Sequence, residues 1–548
     1  MNFKKHQTAQ KLRGGYYTPP DLADFLVRWV KEIKPKDILE PACGDGVFFA
    51  ALGRMSGFKN ANVLGFELDT DEAAKARRVL SSGTVRAKDF LSWALPHLRP
   101  DGARFDAVLG NPPFVRYQYL PPDFQTCSEQ IFARLGCHFT KHTNAWVPFV
   151  LASLAMLRPG GRLAMVVPAE LIHVTHAQSL RAYLGAECSR LVIIDPEELW
   201  FDGTLQGAVL LMAEKKKGPA ESAQGVGIHP VRGREFLKKA PGDVFKLPVP
   251  INGKTVAGKW TRALLDVSTR RLIDELEERE DISVFEDVAT VDVGIVTGAN
   301  KFFLVDDETV DRFALSRWAH PMFGRSEHCP GIIYDARQHE ANAGAGYPTN
   351  FLLFDEKAGC DPRVQAYIKT GEAQKLHTRY KCRIRAPWYR VPSVYSTQIG
   401  MLKRSHHVPR LILNKASAYT TDTAYRIRSK QEAEQLVASF INPLTALSAE
   451  LEGRHYGGGV LELVPSEIEK LLIPVPNKRF DVSKVDEAVR NRPAEEVLEI
   501  HGGAVLRSLG FARGRIEELL LAWKKLRNRR QRISADELYS TSVITSGN

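Results

Sequence analysis

Phe105-Asp106-Ala107-Val108-Leu109-Gly110-Asn111-Pro112-Pro113-Phe114 is the stretch on which the fold turns. An apolar run broken by one acid reads as a buried parallel strand. The diproline stops it abruptly, because proline fixes φ and has no N–H with which to extend a ladder. In an open α/β sheet ligands bind just outside the carboxyl ends of the strands, which is where Asn111 to Phe114 fall. The Asn111 amide oxygen and the Pro112 carbonyl, stiffened by Pro113, form a pair of acceptors suited to both hydrogens of a planar exocyclic amine. Accepting both aims the nitrogen lone pair at an electrophile, and Phe114 offers a face on which the ring carrying the amine can stack. A strand followed by an inert proline-rich loop is the plain alternative, and the flanking sequence weighs against it.

Upstream, Gly14-Gly15-Tyr16-Tyr17-Thr18-Pro19-Pro20 precedes apolar residues at helical spacing (Leu22, Phe25, Leu26, Trp29, Val30). Thr18 reads as an N-cap with proline at the first helical positions. Asp37 to Phe49 then reads as strand, tight glycine turn and helix, with Gly44 and Gly46 letting a ligand approach the backbone. Only those two glycines are present, so the turn lacks the Gly-x-Gly-x-x-Gly of dinucleotide sites. Its acids, Glu40 and Asp45, would repel a pyrophosphate and welcome a cation, which favours S-adenosylmethionine. A second strand ends in Glu67, about 20 residues past the turn, where a carboxylate can accept both ribose hydroxyls. A third unit ends in Lys88-Asp89-Phe90, where Asp89 could accept from an adenine amine and Phe90 could pack on its ring.

In order and residue type these stretches resemble the γ-class DNA adenine-N6 methyltransferases. The resemblance rests on Tyr17-Thr18-Pro19-Pro20, Glu40-Pro41-Ala42-Cys43-Gly44-Asp45-Gly46, Gly65-Phe66-Glu67, Lys88-Asp89-Phe90 and Asn111-Pro112-Pro113-Phe114. It implies an α/β fold: a Rossmann-like class I S-adenosylmethionine-dependent methyltransferase domain followed by a mixed α+β target-recognition domain. It also implies that the first four pieces face the cofactor S-adenosyl-L-methionine and the last faces the target adenine. An aromatic in the turn Leu199-Trp200-Phe201-Asp202-Gly203 would meet the flipped base from the opposite side, by position Phe201, with Trp200 as fallback. The implied activity is site-specific methylation of adenine N6 in double-stranded DNA, as the modification enzyme of a restriction–modification system. The expected partners are that DNA and a separately encoded cognate restriction endonuclease.

Four rivals remain to be weighed. Cytosine-N4 transfer usually carries Ser where this chain has Asn111, and protein glutamine methyltransferases resemble only the first half. A fused nuclease has no Pro-Asp…(Asp/Glu)-x-Lys constellation to support it. A non-catalytic DNA-binding subunit would not need every catalytic position filled.

A chain of 548 residues calls for two or three domains. The expected division is a basic arm over 1–13, a catalytic domain over 14–250, a connecting helix over 251–281, a target-recognition domain over 282–477 and a helical basic tail over 478–548. The net charge of +11 favours a polyanionic partner. No apolar run approaches the roughly 20 residues of a membrane helix, and the N-terminus lacks a signal-peptide core. A cytoplasmic monomer with no membrane contact is expected. The seven cysteines form no Cys-x-x-Cys pair, and Cys127, Cys137, His138 and His142 match no zinc spacing, so no metal is expected.

In the second half, Val293-Gly294-Ile295-Val296-Thr297-Gly298-Ala299-Asn300-Lys301 resembles the opening of the family's recognition domain, with Asn300 and Lys301 as candidates for phosphate or base edges. Between Tyr367 and Tyr425 basic and aromatic residues interleave, as phosphate contact plus stacking requires. Arg379, Lys381, Arg383 and Arg390 are the expected DNA-binding residues there. Gly453 to Pro474 resembles the domain's close. An amphipathic helix (Ile516 to Trp523) then runs into Lys524-Lys525-Leu526-Arg527-Asn528-Arg529-Arg530, which reads either as a phosphate-contacting arm or as a solvated helix end.

Overall fold

An eight-stranded sheet organises the first half of the chain in the computed structural model, which describes residues 17–198, 200, 207–252, 258–456 and 458–531. Its strands are Asp37–Glu40 (β1), Asn62–Glu67 (β2), Gly83–Ala87 (β3), Phe105–Gly110 (β4), Leu157–Pro168 (β5), Cys188–Pro196 (β6), Ala208–Lys215 (β7) and Val226–Val231 (β8). They lie in the order β3-β2-β1-β4-β5-β7-β6-β8. Neighbours are parallel except that β7 runs antiparallel to both β5 and β6. This is the doubly wound α/β sheet expected of a class I methyltransferase, lengthened at one edge by β8.

Local chemistry explains the elements. Helix α1 (Pro20–Lys31) buries Leu22, Phe25, Leu26, Trp29 and Val30, the set its spacing marks out. Its N-cap is Pro19, with no side-chain cap. Thr18 therefore does not cap the helix, contrary to the sequence reading, and its hydroxyl is used elsewhere. Further helices cross between the strands: Val47–Arg54 (α2), Thr70–Val79 (α3), Phe90–His97 (α4), Pro122–Arg134 (α5), Trp146–Ala155 (α6) and Gln178–Glu187 (α7). Every residue of α6 from Trp146 to Leu154 is buried, as a helix apolar on all sides but for Ser153 requires.

The lone acid of β4 also has its reason. Asp106 accepts from the Lys36 and Asp37 N–H groups at 2.8 and 3.0 Å and from Arg158 at 2.8 Å. Burial works against its charge, but those donors hold the carboxyl below its ordinary value. The Pro159-Gly160-Gly161 segment forms an irregularity within β5: Phe105 pairs with Leu157 and Ala107 with Arg162. Gly160 takes φ +75° there, which lets the strand absorb extra residues and continue.

The chain divides into two compact units, one reaching Val267 and the other running from Ser268 to Gln531. In the second, a five-stranded sheet orders Ala289–Val293, Ala424–Ser429, Ile399–Leu402, Leu411–Asn414 and Ile333–Tyr334. A second apolar core gathers Phe302, Phe303, Trp318, Phe351 and Tyr367. Residues 478–531, read from sequence as part of a tail, form helices of this same unit. No helix among the described residues is long and apolar enough to cross a membrane. No group of three or more His, Cys, Asp or Glu among them could hold a metal.

Helix Arg513–Gln531 packs against helix Pro443–Glu452, and its basic end is not uniformly solvated. Arg527 and Arg530 are 3% and 5% exposed. Arg527 pairs with Glu495, and Arg530 meets Glu450 at 2.7 Å. A phosphate-contacting role is thereby removed for these two arginines. Glu450 is itself 1% exposed, so deleting it strands a buried guanidinium. Glu450→Ala is expected to destabilise the second unit by about 3–5 kcal/mol, and Glu450→Leu with Arg530→Met by much less. Urea denaturation checks this, and an unchanged midpoint for Glu450→Ala would refute the burial argument.

Candidate active site

The parallel register sets the site at one edge of the sheet. Glu40, the last residue of β1, lies opposite Gly65, and Glu67, the last of β2, opposite Ala87. The turn after β1 needs its glycines. Gly46 precedes α2 at φ +93°, and a Cβ there would come within 3.0 Å of the Ala76 Cα. Pro41 is buried, while Ala42, Gly44 and Asp45 are half-buried. Glu67 is already engaged: Gly44 N–H donates to Oε2 and Asp69 N–H to Oε1, both at 2.9 Å. These bonds fix the carboxylate and leave one further acceptor position on each oxygen.

Glu40 is different. It is 2% exposed, and its Oε2 has no hydrogen-bond partner among the described residues. Burial pushes its carboxyl well above the ordinary range, and the negative charges of Asp45 and Glu67 push it further. Asp45 is raised by burial and by Glu72, and Tyr17, 46% exposed, is raised by burial and by the same Glu72. Acids crowd here, and Lys75, paired with Glu72 at 2.7 Å, offsets only part of their charge. Asp89 behaves otherwise, as the N-cap of α4, where its Oδ2 accepts from the Ser92 N–H at 2.8 Å and the Ser92 hydroxyl at 2.6 Å. Phe90 is 1% exposed and sits in an aromatic cluster, 5.6 Å from Phe66 and 5.5 Å from Phe149.

At the end of β4, Asn111 is half-buried and Pro112 buried, with Pro113 and Phe114 half-buried. The Asn111 Nδ2 donates to the Thr18 hydroxyl at 3.1 Å. Thr18 is 4% exposed, so this bond sets the rotation of the amide and turns Oδ1 away from Thr18. Phe114 packs against the first unit's core, which holds its ring in place. Phe201 lies outside the described residues. Trp200, its fallback, is 7% exposed and stacks on Phe236 at 5.8 Å, with Arg234 over its ring. Its indole is thus occupied by core contacts.

One brace escaped the sequence reading. Asn144 accepts from the Tyr117 N–H at 3.1 Å and donates to Glu170 at 3.3 Å, while Ala145 N–H donates to the Val115 carbonyl at 2.9 Å. The loop after Phe114 is thereby pinned to the end of β5. An asparagine directly before an all-apolar helix was the available signal.

In the second unit Asn300 is a loop brace: its Oδ1 is bonded by the Thr297 hydroxyl and its Nδ2 donates to Asp422 at 3.1 Å. Lys301, Arg379, Lys381, Arg383 and Arg390 are all exposed. Arg390 meets Glu356 at 3.1 Å, whereas Arg379, Lys381 and Arg383 form no ion pair among the described residues.

The chain matches known proteins over both units. The sequence model of the family described as N-6 DNA Methylase matches residues 3–292, more than half of the chain. That of the C-terminal domain of the type II methyltransferase M.Eco57I matches residues 257–506. The type II methyltransferase M.AccI of Acinetobacter calcoaceticus is 22% identical over 477 residues, 83% of this chain and 84% of its own length. M.XamI of Xanthomonas campestris pv. amaranthicola is 23% identical over 478 residues, 84% of this chain and 85% of its own length. Among solved structures, the type IIG restriction endonuclease BpuSI aligns with 96% of this chain and 68% of its own at 13% identity and a TM-score of 0.42. With the acidic glycine turn and Asn111-Pro112-Pro113-Phe114 closing adjacent parallel strands, this chain belongs to the N-6 DNA methylase family of DNA methyltransferases.

Proposed function

We propose that this protein transfers a methyl group from S-adenosyl-L-methionine to the N6 amino group of a flipped-out adenine in double-stranded DNA, as the modification enzyme of a restriction–modification system. The observation that carries the reading is Asn111, held by Thr18 at the carboxyl end of β4 in the family's catalytic motif. The residues present fit the cofactor: Glu40 is a buried acceptor without a partner among the described residues, in a cluster of acids. A ligand bearing an ammonium and a sulfonium suits that cluster, and a pyrophosphate does not. Tyr17, Pro19, Pro41, Ala42, Gly44, Asp45, Gly46, Glu67 and Asp89 would complete its site.

S-adenosyl-L-methionine supplies an electrophilic methyl group. The chain's own part is to present the nucleophile. Asn111 Oδ1 and the Pro112 carbonyl accept the two amine hydrogens, Pro113 keeps that carbonyl in place, and Phe114 stacks on the purine. Phe201 would close the opposite face. Rotating the base out of the stack costs a few kcal/mol, which phosphate contacts from the second unit would offset. Positioning and dispersal of charge carry the rate, with no covalent enzyme intermediate.

Asn111→Ala is expected to abolish methylation of DNA while keeping cofactor affinity, measured by calorimetry. Lost affinity in that variant would overturn the role given to Asn111. Thr18→Val removes only the hydroxyl that orients the amide. Its turnover is expected to fall about tenfold, equivalent to about 1.4 kcal/mol, with cofactor affinity unchanged; single-turnover kinetics at saturating cofactor reads this.

The raised carboxyl of Glu40 yields a pH prediction. Folding lifts its value above that in the unfolded chain, so the stability it contributes is present at low pH and is lost as pH rises through the folded value. A cationic ligand beside it favours the ionised form, so binding releases a proton and cofactor affinity rises with pH in the range just below the raised value of the free protein. Glu40→Gln is expected to flatten that dependence. Titration calorimetry across this window tests it, and a pH-independent affinity in the unaltered protein would sink it.

A further inference from the structure

In the second unit, the short helix Tyr380–Arg383 has one exposed side and one buried side. Tyr380 and Ile384, four residues apart, are each 62% exposed. Arg379, Lys381 and Arg383 surround them, exposed and without an acidic partner among the described residues. The Lys381 ammonium and the Arg383 guanidinium lie 5.5 and 5.6 Å from the Tyr380 ring centre. The other side of the helix is anchored. Cys382 is fully buried, and Arg385 donates to the Thr297 and Val296 carbonyls at 2.7 and 2.6 Å. Gly298, at φ +79°, makes the seat: a Cβ there would come within 2.7 Å of the Lys381 Cβ and 3.2 Å of the Cys382 sulfur.

An exposed aromatic and an exposed branched aliphatic are costly in water, and a rigid mount denies them a retreat into the core. Cations without acidic partners around them select a polyanion. Together the two features suit duplex DNA: the cations meet phosphates, and the apolar pair meets bases. We propose that Tyr380 and Ile384 form a wedge that enters a base step of the bound duplex, with Arg379, Lys381 and Arg383 gripping the backbone around it. Apolar side chains that enter a step unstack it and bend the duplex. This proposal rests on the DNA-methyltransferase reading for its substrate and adds a residue-level contact to it. A partner protein or a single strand is the competing occupant.

The test uses the full chain and a fluorescein-labelled duplex whose site is first mapped by sequencing genomic DNA methylated by the unaltered protein, with 2-aminopurine placed at successive steps. Binding is followed by anisotropy against salt. Lys381→Ala is expected to reduce the slope of log affinity against log salt by about 0.9, one phosphate contact. Tyr380→Ala is expected to weaken duplex binding about tenfold at unchanged slope, and to remove the rise in 2-aminopurine fluorescence. Tyr380→Phe should restore both. Gly298→Ala, which displaces the seat while keeping both wedge residues, is expected to reproduce the Tyr380→Ala loss; melting curves confirm folding of each variant. Duplex affinity within twofold of the unaltered protein for Tyr380→Ala, or an equal fluorescence rise, would overturn the wedge. So would a larger loss on single-stranded DNA than on duplex. Failure of the unaltered protein to methylate any DNA would instead overturn the activity, a separate readout.

Discussion

Parallel register at the carboxyl ends of β1, β2 and β4 is the constraint on which the rest depends. Once β1 pairs with β2 on one side and β4 on the other, Glu40, Glu67 and Asn111 all finish their strands at one edge of the sheet. The sheet thus concentrates acids where chain continuity alone would have scattered them. The structure deals with each acid separately. Glu67 is held by two backbone N–H groups and Asp89 caps a helix, both of which are self-contained solutions. Glu40 has no such solution among the described residues. A buried acceptor left in this way costs free energy in the isolated fold, and a cationic ligand recovers it. In the proposed reading, stability and cofactor affinity therefore oppose one another at this position.

The diproline of β4 works by the same logic of fixed geometry. Two prolines in succession deprive the backbone of donors and of φ freedom, so the Pro112 carbonyl is presented with little conformational entropy left to lose. Asn111 has a flexible amide, and its freedom is removed by Thr18 from the far side of the sequence. The brace through Asn144 then ties the following loop to β5. Three separate constraints thus act on the chain from Asn111 to Tyr117.

The α/β alternation was legible because buried parallel strands read as apolar runs and their ends carry acids and glycines. The motif residues were legible because each strand end is local in sequence. What escaped were partnerships between distant positions. Thr18 has the sequence signature of a cap, yet Pro19 takes that place and the hydroxyl serves Asn111, 93 residues away. Asn300 looks available for DNA and is consumed by Thr297 and Asp422. Arg527 and Arg530 sit in a run of basic residues that reads as a phosphate-contacting arm or a solvated helix end, and both are buried against acids. In each case a polar group's role is decided by a partner that no local pattern specifies.

An acceptor pair that reads only an amine is indiscriminate: adenine, cytosine and a glutamine side chain all present planar NH2 groups. Selection must come from what surrounds it. Phe114 is packed against the core, so in the proposed reaction its ring would be a preorganised platform, and stacking on such a platform grows with overlapping area. A purine gains more there than a pyrimidine, and an amide without a ring gains least. Discrimination between a base in DNA and a free base then falls to groups that hold the backbone, which the first unit's acidic edge is ill suited to do. In the proposed reading that task belongs to the exposed cations of the second unit, Arg379, Lys381 and Arg383. In the proposed reaction Asn111 and Pro112 would read the amine, Phe114 the ring and a separate surface of opposite charge the polymer, so no one of the three would have to be specific alone.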